Sequence, residues 1–316
     1  RWRDARKGQL VTHQIVAPSV DETPSKRTRR RPAEPWAWLF LAPAIILFLL
    51  FDFFPFFRAI FLSFSNVDLF GRPAGFAGFA NYANMFTDPG FIGTVIRTLI
   101  FTIASVVLKL GIGLAIAVPL SFRLRGTVWM RSVVLIPMAV STAVGTLVFK
   151  QMFAPTIGFF DQVAMSFGLG EVGWLTSPRV AMISALITET WIGISFVTLL
   201  MMVAIDGISP EVVEAANLDG CTGWRYIRHI VLPSISNMLL VLSVTQAMQA
   251  MKEFTVFQVL TAGGPGTSTR TLVLDIYQNA FGGGTADFAA ASARGMVLFI
   301  MILLLTLLQF WLKRKS

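Results

Sequence analysis

The sequence predicts an all-α integral membrane protein with about six transmembrane helices. Three observations predict it. Of 316 residues, 55% are hydrophobic and 14% are charged, where a soluble domain carries roughly 25% charged residues. Six apolar runs are each long enough to cross a bilayer, which takes about 20 helical residues. Seventeen of the 26 basic side chains lie on one side of those runs, and the other nine are scattered through the spans and the opposite loops. With 28 Phe and 13 Met, a soluble core of this length could not bury the apolar surface. The lone Cys221 excludes an internal disulfide and a cysteine metal cage, and two histidines, His13 and His229, leave little for a metal site or a histidine triad.

The expected spans are, in order, Trp36–Phe61, Ile92–Leu120, Ser132–Met152, Val180–Ile205, Met238–Leu260 and Ala290–Leu312. Ahead of them lies a basic, polar, proline-containing tail (1–33), expected to be poorly ordered or a surface helix. It is too long for a signal-peptide n-region, and the run after it is a full span. The permease-sized remainder is 34–316. Of the 26 Lys and Arg, nine lie in the tail, including Lys26–Arg31. Arg123, Arg125 and Arg131 follow span two, Arg225 and Arg228 follow span four, and Lys313, Arg314 and Lys315 close the chain. All these positions fall on one side, so both termini are expected in the cytoplasm. The net charge of +9 thus reads as topology and lipid contact, with no nucleic-acid partner expected.

Between spans four and five the chain turns polar: SPEVVEAANLDGCTGWRYIRHIVLP, Ser209–Pro233. Ser209 sits where a helix N-cap belongs, Pro210 at the first helical position, and Glu211 suits the positive end of the helix. Gly220 can take the positive φ that ends it. Thr222 is expected to cap a second short helix, which Pro233 should stop by Leu232. Ala215 and Ala216 make a smooth patch where another backbone can approach. On these features alone, an amphipathic loop on the headgroups and a docking element fit equally.

The spacing Glu214-Ala215-Ala216, three residues, Gly220, nine residues, Ile230-x-Leu232-Pro233 resembles the EAA loop of permease subunits in binding-protein-dependent ABC importers. LTAGGPGTSTRTLVLDIYQNAF (Leu260–Phe281) resembles the carbohydrate branch, MalF-like or UgpA-like. The likeness extends over about residues 36–315, through FLAPAIILFLLFDFFPFFRAIFLSF, GFANYANMFTDPGF and Arg131–Asp161. Two departures are Ala262 before the Gly-Gly-Pro and a charged Lys252-Glu253 pair. The resemblance implies an ABC type I importer permease fold with a cytoplasmic coupling loop at about 206–234. It implies ATPase contact through Glu214, Ala215, Ala216, Asp219 and Gly220. It also implies a heterodimer with a second homologous permease, two ABC ATPase subunits that bind the ATP and Mg, an extracytoplasmic solute-binding protein, and multi-pass residence in a bacterial or archaeal cell membrane.

Polar side chains within the spans mark a candidate solute path. Gln246, Gln249 and Glu253 are spaced to share one helical face of span five. Span four carries Thr188, Glu189 and Thr190 beside Trp191 and Phe196. Both groups fall near mid-depth, where transporter sites are expected. Acceptors beside rings suit a sugar or polyol; the alternative is interhelical hydrogen bonding, worth on the order of 1 kcal/mol per contact. Glu189 could pair with Lys252. Lys109 is expected to snorkel, while Asp52 and Arg58 approach an interface. By resemblance to maltose-type permeases, solute contacts fall on Ile192, Gly193, Phe196, Gln246, Gln249, Ala250 and Glu253. An acidic Glu253 without a mid-depth arginine cluster disfavours an anion such as glycerol 3-phosphate or a glycerophosphodiester, which is the alternative cargo.

Two other classes compete. An ion-coupled secondary transporter could use Glu189 and Glu253 as proton sites but leaves the EAA spacing unexplained. A membrane enzyme would need a convergent acid, base and nucleophile or a metal set, for which one Cys and two His are thin material. No G-x-x-x-x-G-K-[ST] loop is present, so a non-catalytic subunit with a separate ATPase and no cofactor of its own is expected.

Overall fold

The computed structural model describes residues 35–68, 72–122, 127–282 and 286–315. The tail 1–33, Arg123 and Arg125 lie outside the described residues. The chain divides into two units, Arg1–Asp52 and Phe53–Ser316. In the first, Pro35–Phe48 is helical and runs into a π-helical turn at Leu49–Phe53. That turn lies just before Pro55, as a second one, Ile227–Val231, lies before Pro233. A proline lacks the N–H for the usual i→i−4 bond, and a locally widened turn lets the helix continue past it.

In the second unit, helix Pro89–Ser121 spans 33 residues, about 50 Å of rise, more than the roughly 30 Å of bilayer hydrocarbon. Its start is set by sequence: Asp88 accepts from the Gly90 N–H at 2.8 Å, and Pro89 opens the first turn. It packs along helix Ala181–Asp206 and also against helix Ser236–Met251. Helix Phe288–Lys315 packs on Phe54–Ser63 and Leu272–Phe281, with Phe56 and Phe299 edge to face at 5.3 Å. A small antiparallel hairpin, Ser65–Val67 with Pro73–Phe76, is tied to helix Ala80–Thr87. The Asn81 amide donates to the Ser63 and Ser65 carbonyls at 3.0 Å each.

Among the described residues, four helices are long and apolar enough to cross a membrane: Leu39–Ser63, Pro89–Ser121, Ala181–Asp206 and Phe288–Trp311. The pair Trp224–Ser234 and Ser236–Met251, bent by 73°, is a fifth candidate if it acts as one broken span. The expected third span is broken. Thr127–Val134 ends before a 3₁₀ turn at Ile136–Ala139, and Thr142–Met152 restarts after Ser141. Pro137 in this turn interrupts the helical ladder. The expected fifth span also ends early, at Met251, with a separate helix Thr255–Leu260 beyond a break at Lys252–Phe254.

Candidate functional site

Two of the three apolar clusters in the second unit share its central helices. One joins Ala117, Val197, Met201, Ile205, Ala216, Tyr226, Val231 and Leu242. The other joins Phe101, Phe149, Phe153, Ala185, Ala250, Phe257 and Leu274. On each of the three central helices a polar side chain falls between them: Lys109, Glu189 and Gln246. These three meet. The Lys109 ammonium forms an ion pair with Glu189 Oε1 and donates to Gln246 Oε1 at 3.1 Å. Ser105, one turn before Lys109, donates to the other Glu189 oxygen at 2.7 Å. Lys109, Glu189 and Gln246 are 2%, 5% and 1% exposed, so the network is sealed.

Gly193 makes room for it. A Cβ there would stand 2.7 Å from Lys109 Cε and 2.9 Å from Nζ, closer than side chains pack. The snorkelling expected of Lys109 is therefore corrected: an acceptor on each neighbouring helix holds the ammonium inside. The Glu189–Lys252 pairing is corrected as well, because Lys252 is exposed beyond the end of its helix. Lys109 in span two and Glu189 in span four, both mid-run, were the signal available in the sequence.

The seven expected solute contacts do not share one environment. Gln246 and Ala250 are buried, Gln249 is exposed, and Ile192 and Gly193 are half-buried. Phe196 is 37% exposed, as is Trp191, whose ring lies 5.3 Å from Phe149. Glu253 lies past the helix end, so the shared face with Gln246 and Gln249 is not realised. Its Oε1 accepts from the Val256 N–H at 2.9 Å, capping the start of helix 255–260.

The polar loop folds as two helices. The first is Pro210–Leu218, and Gly220 follows with φ +68°, the left-handed turn expected of it. Ser209 holds the N-cap position but its side chain caps no backbone N–H; its hydroxyl beside the Glu211 side chain holds that carboxyl below the usual range. Gly223, not Thr222, precedes the second helix, with φ +59°. That helix runs to Ser234 instead of stopping by Leu232, because the π turn carries it past Pro233. Glu214, Ala215, Asp219 and Gly220 are exposed. Ala216 points inward, at 4% exposure within the first apolar cluster, so the exposed small face is Ala215 alone. Leu218 and Trp224 stand out at 88% and 69% exposure. Behind Glu214 lies a cavity of about 280 Å³, reached also by Phe122, Asp206, Val213 and Tyr226.

Side chains distant in sequence tie down the Gly-Gly-Pro turn, which spacing alone does not predict. Arg97 donates to the Arg270 carbonyl at 3.2 Å, Gln278 to the Ala262 carbonyl at 3.0 Å, and Thr269 to the Gly264 carbonyl at 2.8 Å. Gly263 sits at φ +92°. Asp275 accepts from Arg294 at 2.8 Å, with Arg270 3.8 Å away.

Residues 108–316 match the family model described as binding-protein-dependent transport system inner membrane component. The sulfoquinovosyl glycerol transport system permease protein SmoG of Agrobacterium fabrum is 34% identical over 274 residues, covering 85% of this chain and 87% of its own. The probable ABC transporter permease protein YurN of Bacillus subtilis is 32% identical over 277 residues, covering 86% and 94%. A chain in the crystal structure of a bacterial alginate ABC transporter, solved with its alginate-bound periplasmic protein, superposes with a TM-score of 0.78. The identity is 22%, with 89% of this chain and 94% of that one covered, so the likeness is one of fold. The chain therefore belongs to the inner membrane components of binding-protein-dependent transport systems, the non-catalytic permease subunits of ABC importers.

Proposed function

We propose that this chain carries a sugar or related polyhydroxylated solute into the cytoplasm. It does so as one half of a heterodimer with a second homologous permease. Two ABC ATPase subunits bind ATP and Mg and grip the loop 206–234 on the cytoplasmic side, where both termini also lie. An extracytoplasmic binding protein delivers the solute. The observation that carries this reading is the loop. A membrane helix hands over to a short helix whose exposed Glu214, Ala215, Leu218 and Asp219 end at a left-handed Gly220. Glu214 and Leu218 lie four residues apart on one face of that helix, so a segment lying on lipid could not both bury Leu218 and turn Glu214 to water, whereas a soluble partner can take both. ATP-driven closure of the ATPases would shift the equilibrium between inward-open and outward-open states through differential contacts.

At mid-depth, the exposed Gln249, Phe196 and Trp191 are the assigned solute surface, with Ile192 and Gly193 beside them. Gln246, Ala250 and Glu253 contribute from behind. Because Glu189 balances Lys109, the sealed network offers an anion no net positive charge, and the exposed Lys252 stands next to the acidic Glu253, which together favour a neutral solute. A second reading, an anionic polyol such as glycerol 3-phosphate, draws on Arg97, Arg270 and Arg294 around the single carboxylate of Asp275. Those arginines lie at the far end from the loop. The test is ATP-driven uptake by the reconstituted complex with its binding protein, using labelled maltose and labelled glycerol 3-phosphate side by side. Saturable maltose uptake supports the neutral reading, tight uptake of the phosphate replaces it with the second, and uptake without the ATPases overturns both.

A further inference from the structure

We infer that Lys109 is a positioning residue that joins three helices at mid-depth, so that a push on the loop 206–234 reaches the solute surface as one movement. This rests on the importer reading, in which an ATPase grips that loop.

The geometry is specific. One ammonium on helix 89–121 holds Glu189 on helix 181–206 and Gln246 on helix 236–251. Those two helices enter and leave the loop. Ser105 holds the second carboxylate oxygen from the same helix as Lys109. Glu189 thus receives two groups one turn apart, which fixes the axial register of the two helices as well as their separation. Above and below this level apolar clusters pack the same helices, and among the described residues no other side-chain hydrogen bond joins the three. Apolar packing is non-directional, so it sets distance better than register. Charges inside a bilayer are costly, and a buried ion pair is often no more stabilising than an apolar pair of similar volume. The network therefore adds little to stability that methionines could not, and what it adds is register. Gly193 links it to the solute surface: its open side is half-exposed, and the place of its missing Cβ is taken by the Lys109 side chain.

The test uses the whole complex in nanodiscs, in a Cys221→Ser background. Spin labels replace Ile96, exposed at the far end of helix 89–121, and Asn237, exposed at the loop end of helix 236–251. In the unmodified network the distance distribution between labels is expected to be the same without nucleotide and after trapping with ATP and vanadate. Lys109→Met/Glu189→Met is expected to assemble with its partners. Its distribution should broaden on trapping, and ATP hydrolysis stimulated by the binding protein, purified with its endogenous solute, should fall about tenfold. The exchange Lys109→Glu/Glu189→Lys should restore the narrow distribution and most of the stimulation, which a volume effect alone would not do.

A doubly apolar variant that keeps both the narrow distribution and full stimulation overturns the inference, as does a charge exchange that assembles yet stays broadened. If the doubly apolar variant does not assemble, Gln246→Leu decides. It leaves the ion pair and frees only helix 236–251, and an unchanged distribution on trapping overturns the proposal. Transport by the unmodified chain with no ATPase present would overturn the importer reading and this inference together. Failure confined to the label experiment would leave that reading intact.

Discussion

The mid-depth network and the loop 206–234 are both polar regions in an apolar chain, and they are built in opposite ways. In the network every charged atom is sealed and paired, and the net charge is zero. In the loop the carboxylates Glu211, Glu214 and Asp219 face outward, with Leu218 and Trp224 exposed among them. The first satisfies its polar groups within one chain. The second leaves both polar and apolar groups for something else to cover. A membrane subunit that works with a soluble motor needs both kinds: an interior that keeps its register and a surface that is incomplete alone.

The largest expected effect lies in the network. Lys109→Met on its own leaves Glu189 buried without its counter-charge and should destabilise the fold by about 3–5 kcal/mol. Thermal unfolding of the detergent-purified protein measures it. An unchanged midpoint would mean that Glu189 reaches water and that the contrast with the loop is false.

Gly193→Ala comes next. The new methyl meets Lys109 Cε at 2.7 Å, and overpacking of this kind costs about 1–3 kcal/mol. The same unfolding measurement should show a loss that disappears when Lys109 is shortened, in Gly193→Ala/Lys109→Ala/Glu189→Ala against its Lys109→Ala/Glu189→Ala parent. A loss that persists would place the strain elsewhere.

In the loop, Gly220→Leu forces a branched side chain into φ +68°, costing about 1–2 kcal/mol locally. The larger consequence is expected in the complex, as ATP hydrolysis no longer tied to uptake or as loss of the ATPase on purification. Glu214→Lys should act the same way without backbone strain. Normal uptake by both variants would remove the docking role.

The smallest change in stability, under about 0.5 kcal/mol, is expected for the exposed Gln249→Ala. Its effect should be on uptake, which should fall well below ATP hydrolysis when both are measured on one preparation. Equal loss of the two would make Gln249 a structural residue.

The loop was legible because its design is local. Helix start, left-handed glycine and motif spacing lie within about twenty-five residues of Ser209, and each obeys a rule about its own neighbours. The breaks at Pro137 and Lys252 are not legible from hydropathy. A run of apolar residues long enough to cross a bilayer looks the same whether one helix or two short ones use it. Glu253 was misplaced for the same reason: helical spacing assumes a helix that here has already ended.

By itself, then, the sequence determined that the chain is helical and membrane-spanning, where its polar loop lies, and the family to which that loop belongs. These follow from composition and short-range order, which hydrocarbon solvent and backbone geometry impose at once. Only the tertiary structure decided that Lys109 meets Glu189 and Gln246, 80 and 137 residues away, and that Gly193 exists to let it. A charge in a bilayer must find a partner, but which partner depends on helix rotation and depth, and those are set by packing between helices, not by spacing along the chain.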